Sequence, residues 1–494
     1  MNAPDRPSAC ILPLRLLPAL LLITAGALPA GAQVEEPPRP PGPEAVAGTW
    51  SGALQLPASR LTIVFHISAK GDSLTGTWDS PDQGAMGLPA SGVSFDGTTL
   101  AFEMASVGAA FRGTLSPHGD TLSGTFTQGG AVLPLTLTRS DEGPRPSRPQ
   151  EPEPPFPYAV EEVHIPNSDA PGVVLAGTLT LPDGAGPFPG VVLVSGSGPQ
   201  NRNEELLGHK TFLVLADHLT REGVAVLRYD DRGVASSTGD FAAATTRDLA
   251  SDARAAFEFL RSRPETTGCG VGILGHSEGG LIAPMVAAED PEVAFLVLLA
   301  APGLPGLEIL KLQSTLIGEA EGAADETLRL NAGIQDRLAR VLDREPDPGR
   351  AAPELRAVLE SAWDSLPPAA RERMGDRERW VETQVRQVNS PWFRYFVGYD
   401  PRPVLERVGV PVLALYGERD LQVPPEPNLR EVASALRRGG NTRVTAVTLP
   451  GLNHLFQSAA TGSPAEYARI SETISPTALT AISDWILRLP PCSN

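Results

Sequence analysis

Three cysteines in 494 residues exclude a disulfide-rich scaffold and a four-cysteine zinc site. Basic residues are also scarce: 40 Lys and Arg stand against 58 Asp and Glu, a net charge of −18. Phosphate binding needs a surplus of Lys and Arg on one surface, so nucleic acid is not an expected partner. An anionic membrane surface is disfavoured for the same reason. Long apolar runs are missing too. The longest, Leu16 to Leu28, falls short of the roughly 20 residues needed to span a bilayer, so no stable membrane insertion is expected. Nor does any Gly-Lys-Ser/Thr follow the glycine-rich stretch Ser195-Gly196-Ser197-Gly198, which argues against a nucleotide site.

What is present sorts into segments, two or three domains at roughly 100–200 residues each. Arg6 and Arg15 precede or open the apolar run, which ends in Ala30-Gly31-Ala32, the small-x-small pattern a signal peptidase cuts after. Residues 1–32 are expected to be a secretory signal peptide and the mature chain to be secreted or periplasmic. Cys269 and Cys492 then remain; export permits them to pair, provided their Cα atoms come within about 7 Å. Glu35–Glu44 and the linker 140–157, densest in proline from Gly143 to Pro157, read as extended tethers. Between them, residues 45–139 read as a small all-β domain of short alternating runs. Asp72-Ser73-Leu74-Thr75-Gly76-Thr77-Trp78 matches Asp120-Thr121-Leu122-Ser123-Gly124-Thr125-Phe126, and Gly48-Thr49-Trp50 is a partial third copy. A meander or small barrel would reuse such a unit per hairpin. The repeated aromatics, Trp50, Trp78 and Phe126, suit a core better than a displayed carbohydrate or lipid site.

From Tyr158 the texture changes to short β runs alternating with helical ones, the mark of a mostly parallel sheet with helices on both faces. Strands are expected at Val191–Val194, Val224–Leu227, Val271–Leu274, Phe295–Leu299, Val412–Tyr416 and Val444–Leu449. Residues 302–403 interrupt the rhythm with helical patterns only and are expected to form a helical cap. Trp392, Phe393 and Phe396, the densest aromatic cluster, are candidates either for the wall of a substrate pocket or for pinning the cap to the sheet.

Gly275-His276-Ser277-Glu278-Gly279 carries the chemistry. This G-x-S-x-G unit follows the strand Val271–Leu274 and opens a helix, the context a nucleophile elbow requires. A serine there needs a base, and His454 alone among seven histidines follows it, just after the strand Val444–Leu449. The acid belongs in the loop after the preceding strand, where Asp420 is preferred to Glu418, which sits in the tight turn, and to Asp400, which lies at the wrong edge. It would fix the imidazole tautomer and steady the imidazolium. Two backbone N–H groups must meet the oxyanion. Glu278 supplies one from the helix start, and Ser197 the other, with Gly198 as the alternative; Pro199 has none to give.

Five blocks in order, Ser195–Arg202, Leu227–Gly233, Gly275–Gly280, Gly417–Asp420 and Leu452–His454, make residues 158–494 resemble the α/β-hydrolase superfamily, and most of all bacterial carboxylesterases related to the prolyl oligopeptidase group. The resemblance implies Ser277 as nucleophile, Asp420 as acid and His454 as base. Asn203, where relatives often carry Asp, and Ala235, where they carry Gly, depart from it without touching these three. The expectation is therefore a secreted serine hydrolase that cleaves small-molecule carboxylic esters through an acyl-enzyme, with no metal or organic cofactor. Two rivals remain. A prolyl oligopeptidase-type peptidase would carry a propeller, for which about 100 residues of β structure are too few. A non-catalytic binding protein on the same fold would not need the complete Ser, His and Asp set.

Overall fold

The computed structural model describes residues 42–494 except 57–58, 72, 81–84, 129–130, 141–147, 375, 491 and 493–494. The expected signal peptide and residues 35–41 of the first tether lie outside the described residues. The chain divides into two compact units.

The smaller unit holds a nine-stranded antiparallel sheet between Gly48 and Ser140, whose first strand, Gly48–Leu56, pairs with both the second and the last. Alternation places one set of side chains inside. Trp50, Trp78 and Phe126 all point into a single apolar core, with Phe65, Phe102 and Phe111 between them. Phe65 and Phe102 stack with ring centres 4.0 Å apart. The repeated turn–strand unit therefore supplies core aromatics, as its apolar character suggested.

The larger unit is built on an eight-stranded sheet. Its strands are β1 (Ala159–Pro166), β2 (Val174–Leu181), β3 (Gly190–Val194), β4 (Ala225–Tyr229), β5 (Val271–His276), β6 (Leu296–Leu299), β7 (Val412–Gly417) and β8 (Val444–Leu449). They lie in the order β1-β2-β4-β3-β5-β6-β7-β8. β1 and β2 are antiparallel, as are β2 and β4; every later pair is parallel. β3 to β7 are buried throughout, which is why they read as unbroken apolar runs. Each face of the sheet carries its own apolar layer, one led by Phe257 and Tyr416, the other by Phe212 and Phe295.

Among the helices, α1 (Thr211–Arg221), α2 (Thr246–Arg261) and α3 (Gly279–Glu289) follow β3, β4 and β5. α2 begins three residues before the apolar pattern does, because Thr245 and Asp248 close a reciprocal capping box. The insert between β6 and β7 is helical. α4 (Gly306–Ala320), α5 (Asp325–Arg344), α6 (Pro348–Asp364), α7 (Pro368–Met374), α8 (Arg377–Val388) and α9 (Pro391–Gly398) enclose a separate small core around Leu355, Leu359 and Val381. α6 starts at Pro348 under an Asp347 cap and carries Pro353 inside the helix.

The stretch read as a linker packs from Arg148 onward. Arg148 donates to the carbonyls of Leu207 and Gly208, Gln150 to that of Ile474, and Glu151 pairs with Lys210. Polar side chains between the prolines do this work, so proline content alone overstated the length of unattached chain.

Cys269 and Cys492 are joined, with Cα atoms 4.1 Å apart and 223 residues between them. Closing so long a loop restricts the unfolded chain, a stabilisation of about 2–4 kcal/mol. Reductant is expected to lower the melting temperature of the wild type, and Cys492→Ser to abolish that response. A melt indifferent to reductant would contradict a structural role for the bridge.

Candidate functional site

β5 delivers its last residue, His276, into a sharp turn, and Ser277 adopts φ 53°. A non-glycine residue held in that left-handed region stores on the order of 1–3 kcal/mol of strain. The flanking glycines make the turn possible. A Cβ on Gly275 would come within 2.0 Å of the Gly279 carbonyl, and one on Gly279 within 2.1 Å of the Val194 carbonyl. Ser277 is half-buried among fully buried neighbours, and its N–H is tied to Leu299 O at 2.8 Å.

The loop after β3 lies against this turn: a Cβ on Gly196 would approach Ser277 Cβ to 3.2 Å. The Gly196 N–H is taken by Glu204 Oε1 at 2.8 Å. Among the described residues the N–H groups of Ser197 and Glu278 donate to no protein acceptor. The N–H of Gly198, the alternative to Ser197, likewise donates to none.

His454 and Asp420 meet, Nδ1 to Oδ2 at 2.8 Å, both buried. The other carboxylate oxygen accepts from Gln422 N and Val423 N, each at 2.8 Å, so the acid is held at three points. Glu418, the alternative, instead accepts from Gly451 N at 2.8 Å and fastens the loop that carries His454. That loop reaches Ser277's neighbour: His276 Nε2 lies 3.0 Å from the His454 carbonyl.

Two functional-looking carboxylates escaped the sequence reading in whole or in part. Glu204 is buried at φ 48° and accepts from His276 Nδ1 at 2.8 Å. Glu278, chosen only for its N–H, buries its side chain as well. Thr246 Oγ1 and Trp392 Nε1 donate to its Oε1 at 2.7 and 2.8 Å. Burial among neutral partners raises its pKa above the ordinary carboxyl value. A raised carboxyl pKa favours the fold fully below the ordinary value, and that contribution is lost as pH rises through the raised one. Glu278→Gln keeps an acceptor for Thr246 and Trp392. It is expected to melt higher than the wild type near pH 8 and to lose the advantage toward about pH 4. A difference that stays constant across that range would show that ionisation of Glu278 is not the cause.

The aromatic run of the cap divides by role. Phe393 belongs to the cap's own core and Phe396 to the layer against the sheet. Trp392 stacks on Phe396 with ring centres 5.2 Å apart and reaches Glu278. The i, i+3 spacing on α9 puts Phe393 and Phe396 into packing rather than into a substrate wall. Phe393→Ala is expected to cost about 3–5 kcal/mol of stability, measured by denaturant unfolding. A loss under about 1 kcal/mol with a changed acyl-chain preference would restore the pocket role.

A sequence model of the alpha/beta hydrolase family matches residues 191–470, from β3 past the His454 loop. The chain belongs to the alpha/beta hydrolase family. It is similar to esterase EstD of Thermotoga maritima, 27% identical over 318 residues, which span 64% of this chain and 66% of that esterase. Among solved structures, an esterase of Pyrococcus furiosus is 17% identical, with 59% of this chain and 83% of that one covered at a TM-score of 0.38. A hydrolase of Pseudomonas aeruginosa is 22% identical, with 66% and 98% covered at a TM-score of 0.37. The two residues singled out in the sequence as departures from the resemblance, Asn203 and Ala235, have local consequences. Asn203 Oδ1 accepts from the buried Arg228 guanidinium, whose pKa burial and the nearby Arg202 lower to about 10. Ala235 sits at φ 47°, a backbone region that favours glycine.

Proposed function

We propose that this chain is a serine hydrolase that cleaves small-molecule carboxylic esters. The observation that carries the reading is the buried His454–Asp420 bond on a loop tied to the strained Ser277 turn. Ser277 Oγ attacks the acyl carbon as His454 Nε2 takes its proton. The N–H groups of Ser197 and Glu278 stabilise the oxyanion. Collapse of the tetrahedral intermediate expels the alcohol, which receives the proton from His454. Water, deprotonated by the same imidazole, then attacks the acyl carbon and frees Ser277. Similarity to a curated esterase supports ester over amide substrates. The Cys269–Cys492 bridge supports an exported protein, because such bonds persist in oxidising compartments.

Turnover of a series of nitrophenyl esters, set against the matching nitroanilides, tests the reading. Esters are expected to be hydrolysed with saturation kinetics and anilides at a small fraction of that rate. Preferred cleavage of anilides would favour a peptidase, and no turnover of either a binding protein.

A further inference from the structure

His276 is buried directly before the nucleophile, and both of its ring nitrogens face acceptors. Nδ1 meets Glu204 Oε1 at 2.8 Å and Nε2 meets the His454 carbonyl at 3.0 Å. A neutral imidazole has one N–H and cannot donate to both. A proton placed on Glu204 instead would satisfy the first contact, but imidazole outcompetes a carboxylate for a shared proton, with ordinary pKa values of about 6.5 and 4.3. We infer that His276 is a fixed imidazolium which, paired with Glu204, acts as a positioning residue for the catalytic loops. The inference rests on the serine hydrolase reading for its kinetic consequences but not for the charge itself.

The connections show what it would position. Glu204 Oε1 also accepts from Gly196 N, in the loop that presents the Ser197 N–H. One chain of hydrogen bonds therefore runs from the oxyanion loop through Glu204 and His276 to the backbone of His454. Glu204 itself is held on a rigid segment: its neighbour Arg202 pairs with Asp230 and Glu162, and Asn203 accepts from Arg228. Its φ of 48° is the kind of backbone strain that persists only where surroundings over-determine it. The groups facing the His276 ring are Glu204, Asp420 and the His454 ring, whose centre is 4.9 Å away, with Phe456 at 6.4 Å. Burial pulls the His276 pKa down, but the charge of Glu204, its hydrogen bond, the His454 carbonyl and the more distant Asp420 outweigh it, and the net direction is up. A raised histidine pKa contributes stability fully below the ordinary value, lost as pH rises through the raised one.

Histidine-selective ¹⁵N NMR on the full chain reads the charge directly, with His276 assigned through its contacts to Phe456. Both ring nitrogens are expected to carry protons at neutral pH in the wild type. In Glu204→Gln, where the amide oxygen keeps the Gly196 contact and no carboxylate charge faces Nδ1, His276 is expected to become neutral. The kinetic companions are kcat and KM for a nitrophenyl ester. Glu204→Gln is expected to lower kcat about tenfold, and His276→Asn about a hundredfold, the scale of a misplacement near 1 Å, with KM within about twofold. A neutral His276 in the wild type at neutral pH would overturn the inference without any variant having to fold. So would folded variants with unchanged kcat. Absence of ester turnover would sink the hydrolase reading alone, because the NMR result stands apart from activity.

Discussion

Ser277→Ala is expected to lower ester turnover by about 10⁴–10⁶-fold, and His454→Ala by as much. The two act as a unit: without the hydroxyl the base has no proton to take, and without the base the hydroxyl is a poor nucleophile. The double variant should therefore be no slower than either single one. Folding tells the two apart. Ser277 is half-buried and its hydroxyl packs no core, so alanine should leave the melting temperature nearly unchanged. His454 is buried against Asp420, and its removal strands part of a buried carboxylate, which costs on the order of 1–3 kcal/mol. Near wild-type kcat in His454→Ala would mean that the base has been misassigned.

Asp420→Asn is expected to reduce kcat by about 10³–10⁴-fold with little change in KM. The reason lies in the two backbone donors. Gln422 and Val423 both point their N–H groups at Oδ1, so an asparagine will keep its oxygen there. Its amide nitrogen is then forced toward Nδ1 of His454, which must give up its proton to accept. That proton moves to Nε2, the nitrogen that has to receive the proton of Ser277. The geometry survives and the tautomer is wrong. A loss below about tenfold would show that Asp420 steadies the loop rather than the ring's protonation.

Much of this site could be read in the chain because parallel strands buried on both faces leave short apolar runs, and the residues that matter sit where those runs stop. Val271–Leu274 ends at the Ser277 turn, Val412–Tyr416 at Asp420 and Val444–Leu449 at His454. The antiparallel hairpin β1–β2 was less legible. Ala159–Pro166 is an edge strand exposed at alternate positions and ending in proline, and it gives no apolar run. Glu204 could not be seen from periodicity at all, because its partner His276 is 72 residues away. A weak signal did exist: the histidine inside Gly275-His276-Ser277 falls at the end of a strand buried throughout, and a buried imidazole must find partners for its nitrogens. The roles of Phe393 and Phe396 were undecided for a different reason, since composition cannot say which face of a helix meets a core and which a substrate.

Labelling with a fluorophosphonate, followed by peptide mass spectrometry, tests the central claim most directly. Such a probe phosphonylates a serine only when a base activates it and an oxyanion site receives the phosphoryl oxygen. A single adduct on Ser277 is predicted for the wild type, strongly reduced in Asp420→Asn and absent in Ser277→Ala. An adduct on another serine, or ester turnover that survives with Ser277 unlabelled, would contradict the account.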